Sequence, residues 1–236
     1  MPVYNIDLHA HCDCDPHDVL NYSPYDMVNE AVDAGLNAFA ITPHGKVFHD
    51  PDAQAYAEKR GILLIPGIEL LVSGFEILLL NVRPDEVHRK FTFDDLRKLR
   101  KRRGPDFLTV APHPFYPRQT CVGPMINEAA DCLDAVEHAH FYTPLWNPNQ
   151  KAIEWARKHG KPLVANSDMH ILDMFACQYT EVEAPELSLT ALFDAIRASQ
   201  VRAHTPTPDL IHIMEFAMRG VLFQGLAKVL QSRSFF

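Results

Sequence analysis

The stretch Asp7-Leu8-His9-Ala10-His11 follows a short apolar run, Val3 to Ile6, that reads as a β-strand. Side chains on a strand alternate with period two, so Asp7, His9 and His11 share one side and the two imidazoles can hold a metal ion between them. An isolated His-x-His pair fits two polar residues at a strand end equally well. The residues that follow separate the two readings, because His44, Glu69, His113, His140, Asp168 and His170 each stand just after a strand-like run. Imidazoles and carboxylates without cysteine suit zinc, manganese or iron, and open positions on such ions are what hydrolysis requires. The predicted chemistry is therefore a shared metal centre that activates water.

Positioning such residues takes a repeated strand-and-helix frame. Apolar runs predict strands at 38–42, 62–65, 68–70, 75–82, 107–111, 134–140, 162–165 and 179–183. Between them, Ser23-Pro24 reads as an N-cap with proline at the first helical position ahead of a helix over 25–34, closed by Gly35. Further helices are predicted at 51–60, 91–103, 124–133, 149–160 and 188–199, with Pro66-Gly67 breaking the third strand run. The basic run from Arg97 to Arg103 reads as a solvated helix end that complements the macrodipole. Each polar site follows its strand, which is where barrel enzymes carry their chemistry.

A chain of 236 residues with 47% hydrophobic content can build one sizeable core. The expected organisation is one α/β domain over 1–205 and a C-terminal helical appendage over 206–236 packed on it, from an apolar stripe that includes Ile211, Met214, Met218 and Leu222. A formal charge of −8 argues against an extended nucleic-acid surface, although a nucleotide in a metal pocket remains compatible. No signal sequence and no run of 18 uncharged apolar residues is evident, so no membrane partner is expected. The five cysteines, Cys12, Cys14, Cys121, Cys132 and Cys177, are odd in number and lack a repeated C-x-x-C, which suits a reducing compartment and the cytoplasm. Monomer and homo-oligomer are both consistent with this composition.

The motifs themselves resemble a known family. Asp7-Leu8-His9-Ala10-His11, Ala40-Ile41-Thr42-Pro43-His44-Gly45, Pro66-Gly67-Ile68-Glu69, Ala111-Pro112-His113-Pro114 and Asn166-Ser167-Asp168-Met169-His170 are similar, in order and approximate spacing, to the successive motifs of the polymerase and histidinol phosphatase (PHP) domain. The resemblance spans residues 3 to about 203. It implies a distorted (β/α)7 barrel, two or three divalent transition-metal ions (zinc, manganese or iron) at the C-terminal strand ends, and hydrolysis of a small phosphorylated substrate. Carried over by residue, His9 and His11 would bind a first ion with Asp168, while Glu69 would bridge to a second held by His113. A third would use His44 and His170 with His17, for which Asp15 is the rival. Asp168 or His170 would relay the proton.

Several positions depart from the family pattern. Pro43 replaces an acid in the second motif. Where many short members carry a histidine after the bridging glutamate this chain has aliphatics, with Leu78 at the matching place, so the second ion loses an expected ligand. Glu137-His138-Ala139-His140 resembles a glutamate-x-x-asparagine pattern of the family, with His140 at the asparagine, and His138 shares its strand face. Cys12 and Cys14 flank Asp13 beside the expected ions but read as small apolar fillers. Lys46 and Arg118 are the cations nearest the motifs and the candidates for a substrate phosphate. Two rival functions stay open: amidohydrolase-type hydrolysis of a carbon–nitrogen bond on a related barrel, and a non-catalytic metal-binding module.

Overall fold

The computed structural model describes residues 1–206. Among these, the strands β1 (Val3–Asp7), β2 (Ala38–Ile41), β3 (Leu63–Val72), β4 (Phe75–Leu80), β5 (Leu108–Ala111), β6 (Ala135–Ala139), β7 (Leu163–Asn166), β8 (Tyr179–Glu183) and β9 (Val201–His204) form one sheet. Its order is β7-β6-β5-β4-β3-β2-β1-β8-β9. β1, β2 and β3 run parallel, as do β5, β6 and β7, whereas β4 is antiparallel to both its neighbours and β8 to β1. The sheet curls until its ends nearly meet. There the Thr180 hydroxyl on β8 accepts from Ala165 N at 2.8 Å and donates to Ala165 O at 2.9 Å on β7. The expected α/β barrel is present, and the reversed β4 is one source of its distortion.

Period-two alternation explains the layering. Ala38, Ala40, Ile65, Leu78, Leu80, Leu108, Val110 and Val164 point into the barrel. Their neighbours Phe39, Ile41 and Leu64 face outward onto helices α1 (Pro24–Asp33) and α2 (Pro51–Lys59). Ile68, Leu70, Ile77 and Leu79 face α3 (Phe93–Arg103), the short α4 (Ile126–Ala129) and α5 (Asn149–His159). α6 (Leu189–Arg197) buries Leu192, Phe193 and Ile196 in the barrel's inner cluster. Arg197 on α6 bonds Phe107 O and Asp134, just before β5 and β6, so α6 packs at the N-terminal strand ends and leaves the C-terminal ends for the polar residues.

Four sequence expectations need correction. Pro66-Gly67 does not break the strand: β3 runs through it, pairing up to Pro66 with β2 and from Gly67 onward with β4. Glycine is needed there by close approach, since a Cβ would lie 2.8 Å from Thr42 Cγ2. The segment predicted as a helix over 124–133 is one α-turn flanked by two 3₁₀ turns. Within the three turns the buried residues Ile126, Ala129 and Cys132 recur every third position, which is the 3₁₀ period, and the buried Leu133 follows them toward β6. β9 was not anticipated, because its four residues alternate between half-buried and exposed without an apolar run. The basic run on α3 is only partly a solvated end, because Arg100 turns inward to grip Asp134 at 2.5 and 2.8 Å. The helical appendage expected over 206–236 lies, beyond Pro206, outside the described residues, and no helix among those described is long and apolar enough to cross a membrane.

Candidate metal centre

Hydrogen bonds from backbone N–H groups between the ends of β1 and β7 bring the donors together. Asn166 Oδ1 accepts from Leu8 N at 2.8 Å, Asp7 Oδ1 accepts from Ser167 N at 3.1 Å, and His9 O accepts from Asp168 N at 2.9 Å. Asp7 is thus a clamp between strand ends. Two donor residues sit in left-handed backbone, His113 at φ 28° and Asp168 at φ 45°. For residues with a Cβ this conformation costs on the order of 1–3 kcal/mol each and persists only where the surroundings impose it. His113 N is held by Glu137 Oε2 at 2.7 Å, and Asp168 N by the His9 carbonyl.

Four imidazoles converge on one buried carboxylate. Glu69 Oε2 lies 3.2 Å from His9 Nε2, 3.1 Å from His44 Nε2 and 3.5 Å from His11 Nε2, while Oε1 lies 3.3 Å from His113 Nε2. Asp168 Oδ1 is 3.4 Å from both His9 Nε2 and His11 Nε2. Four donor sets each fall within 4.8 Å: His9, His113 and Asp168; His9, His11 and Glu69; His11, Asp168 and His170; and His11, Asp15 and His44. On their far sides several rings meet further carboxylates. Glu137 Oε1 is 3.0 Å from His9 Nδ1, and Asp15 Oδ2 is 2.8 Å from His11 Nδ1 and 2.9 Å from His44 Nδ1. His170 directs Nε2 at Asp18 Oδ2, 3.2 Å away, and Nδ1 at the Asp168 carbonyl.

The charges fit a cation-demanding site. Burial opposes charging His9, yet Asp168, Glu137 and Glu69 around it outweigh that and hold its pKa well above the ordinary value. Burial likewise opposes ionising Glu69 and Asp168, but His9 and its neighbours hold both carboxyls well below the usual range. His170 rises to about 9 against burial through Asp18 and Asp168. His140 goes the other way, to about 4, because burial disfavours its charged form more than Asp168 and Glu137 favour it.

Of the residues singled out in the sequence, His9, His11, His44, Glu69, His113, Asp168 and His170 meet here. Asp15 takes the inner place in the loop after β1, whereas His17 is exposed and stacks on His44 with ring centroids 5.4 Å apart. His140 is buried within electrostatic reach of Asp168, Glu137, His170 and His9, while His138 turns to Gln178 and Tyr142. Pro43 contributes its carbonyl to Glu69 N, and Asp15 supplies the acid that orients His44. Lys46 is exposed, and the half-exposed Arg118 lies 3.8 Å from Glu76. Glu137 was noticed in the sequence only as part of a pattern, and the role of Asp18 was missed. Their roles depend on which strand ends become neighbours, and a sequence of short local motifs does not carry that. The five cysteines are free, and Cys12 and Cys14 lie together with sulfurs 2.8 Å apart.

Comparison with known proteins agrees with the fold. Residues 146–201 match the family model described as PHP-associated. No curated protein matches the chain significantly. Among solved structures, the chain resembles a two-domain protein containing a predicted PHP-like metal-dependent phosphoesterase from Bacteroides vulgatus, with 22% identity and a TM-score of 0.67 over 86% of this chain and 65% of that one. It therefore spans less than two thirds of that protein. It also resembles PsfC from Pseudomonas syringae, with 19% identity and a TM-score of 0.68 over 96% of this chain and 100% of that one. A third likeness is to the lesion-specific endonuclease PfuEndoQ from Pyrococcus furiosus, with 14% identity and a TM-score of 0.57 over 86% of this chain and 58% of that one. At these identities the likeness establishes the fold.

Proposed function

We propose that this chain, whose fold resembles that of a PHP-like protein, is a metal-dependent phosphoesterase acting on a small phosphomonoester or phosphodiester. The observation that carries the reading is the meeting of His9 Nε2 and His11 Nε2 at 3.1 Å. Each ring has its Nδ1 against a carboxylate, Glu137 or Asp15, which favours the proton on Nδ1 and leaves the two Nε2 lone pairs facing each other. Two lone pairs at that distance repel unless a proton or a metal ion lies between them, and the carboxylates on both sides favour a positive charge there. Glu69 Oε1, buried and without a hydrogen-bond partner among the described residues, is a second group that calls for a cation or a donor.

His9, His11, Asp168 and Glu69 would hold one divalent ion, and His44 and His170 another, with Asp15 orienting the His11 and His44 rings from behind and Glu69 reaching across to His113. Such ions supply a water of lowered pKa and offset charge on the phosphoryl oxygens. The residues do the rest. Asp168 or His170 would take and return a proton at the edge of the ions. Arg118, within electrostatic reach of Asp168 and Glu69, would meet the substrate phosphate, with Lys46 as the alternative, and His17 and His140 would border the donor sets. A carboxylate at Glu69 favours phosphoester over carbon–nitrogen hydrolysis.

The test is turnover. Protein stripped with chelator and reloaded with manganese, zinc or iron should hydrolyse a generic phosphodiester or phosphomonoester, and chelator should abolish it. Amide hydrolysis instead would favour the amidohydrolase reading, and metal uptake without any turnover the non-catalytic one.

A further inference from the structure

The register of β3 against β4 places Leu78 directly opposite Glu69. Leu78 is buried among Ile6, Leu8, Leu80 and Val110, so no donor stands where the resemblance leads one to expect histidine. One step along the same face of β4 is Glu76, only 5% exposed. Its Oε2 is buried without a hydrogen-bond partner among the described residues and lies 3.9 Å from His113 Nδ1. The same nitrogen is 3.3 Å from Cys121 Sγ, and the donor atoms of Glu76, His113 and Cys121 fall within 4.8 Å of one another. The loop carrying the cysteine is fastened to β4, since Glu76 N donates to Thr120 O at 2.8 Å. A buried carboxylate oxygen left without a donor is costly, and the half-exposed Arg118, 3.8 Å away on the other oxygen, meets only part of that cost.

We propose that Glu76 Oε2, His113 Nδ1 and Cys121 Sγ form a mixed oxygen, nitrogen and sulfur site for a thiophilic divalent ion of the zinc class, replacing the donor missing at Leu78. Thiolate and imidazole together favour zinc over manganese or magnesium. Binding releases the thiol proton to solvent. With Nδ1 engaged, the proton of His113 resides on Nε2 and points at Glu69 Oε1, 3.3 Å away. The ring thereby joins the new site to the central carboxylate. This deepens the phosphoesterase reading and rests on its metal centre, because Glu69 then reaches the second ion through His113.

The test uses the full chain. X-ray absorption at the zinc edge of zinc-loaded protein should show a sulfur neighbour at about 2.3 Å. Cobalt-loaded protein should show the near-ultraviolet charge-transfer band of a cobalt–thiolate bond, lost in Cys121→Ser and kept in Cys12→Ser and Cys14→Ser. Glu76→Gln should bind one zinc equivalent fewer than the parent. A zinc shell without sulfur, a band that survives Cys121→Ser, or unchanged zinc content in Glu76→Gln would each overturn the site. Metal-dependent phosphoester turnover alongside a sulfur-free zinc shell would defeat this site alone. A sulfur-bound zinc in a protein that hydrolyses no phosphoester would leave the site standing and defeat the functional reading.

Discussion

Glu137 shows how much of a metal centre lies one layer behind its ligands. One of its oxygens is 3.0 Å from His9 Nδ1 and takes the Asn166 amide at 2.7 Å, while the other takes the His113 backbone N–H. It thus sets the tautomer of one ring and stabilises the left-handed backbone of another. Glu137→Gln keeps the size and removes the charge, so divalent-ion affinity should fall about 10- to 100-fold while the fold persists. Titration against a chelating indicator measures this, and an unchanged affinity would mean that His9 is oriented by something else. The donors themselves were legible in the sequence because each sits in a short local motif, as with His9 and His11 two residues apart. Asp15 was legible only as the rival to His17, because its burial against two imidazoles is a property of the folded loop.

At the level of elements, strands and most helices followed from their signals, and the exceptions have physical causes. Thr92 and Ser23 cap α3 and α1 in reciprocal hydrogen bonds with Asp95 and Asp26. Pro66-Gly67 signalled a turn because those residues usually make one, whereas here the strand changes partner at that point. The basic face of α3 misled because helix position alone does not say which arginine meets an acid. Asp134 takes bonds from Arg100, Arg197 and Thr109 N at the N-terminal end of β6. Burial would raise its pKa, but Arg100 and Arg197 hold the carboxyl below the usual range. With the folded pKa depressed, its stabilisation is present above the unfolded carboxylate value of about 4 and is lost as pH falls through the folded value. Asp134→Asn should therefore cost about 3 kcal/mol near neutral pH, as for one partner removed from a buried pair. The gap to the parent should narrow as pH falls below about 4. Denaturant melts at several pH values check this, and a gap independent of pH would contradict it.

For the molecule as a whole, the barrel puts aliphatic side chains and α6 toward one end and the imidazoles and carboxylates at the other. The α/β barrel could be anticipated from strands followed by polar motifs. The antiparallel β4, the Thr180 closure and β9 could not, because strand order and direction are long-range properties. Glu69, midway along β3 and faced by four histidines, is where the account is most exposed. An amide in its place has the same shape but no negative charge and is a far poorer ligand. The most direct measurement is metal content and phosphoester turnover of Glu69→Gln beside His140→Asn. Glu69→Gln should lose metal occupancy and on the order of 100- to 1,000-fold in rate, well beyond the effect at His140. A Glu69→Gln protein that keeps its metals and hydrolyses at the parent rate would contradict a centre organised around this carboxylate.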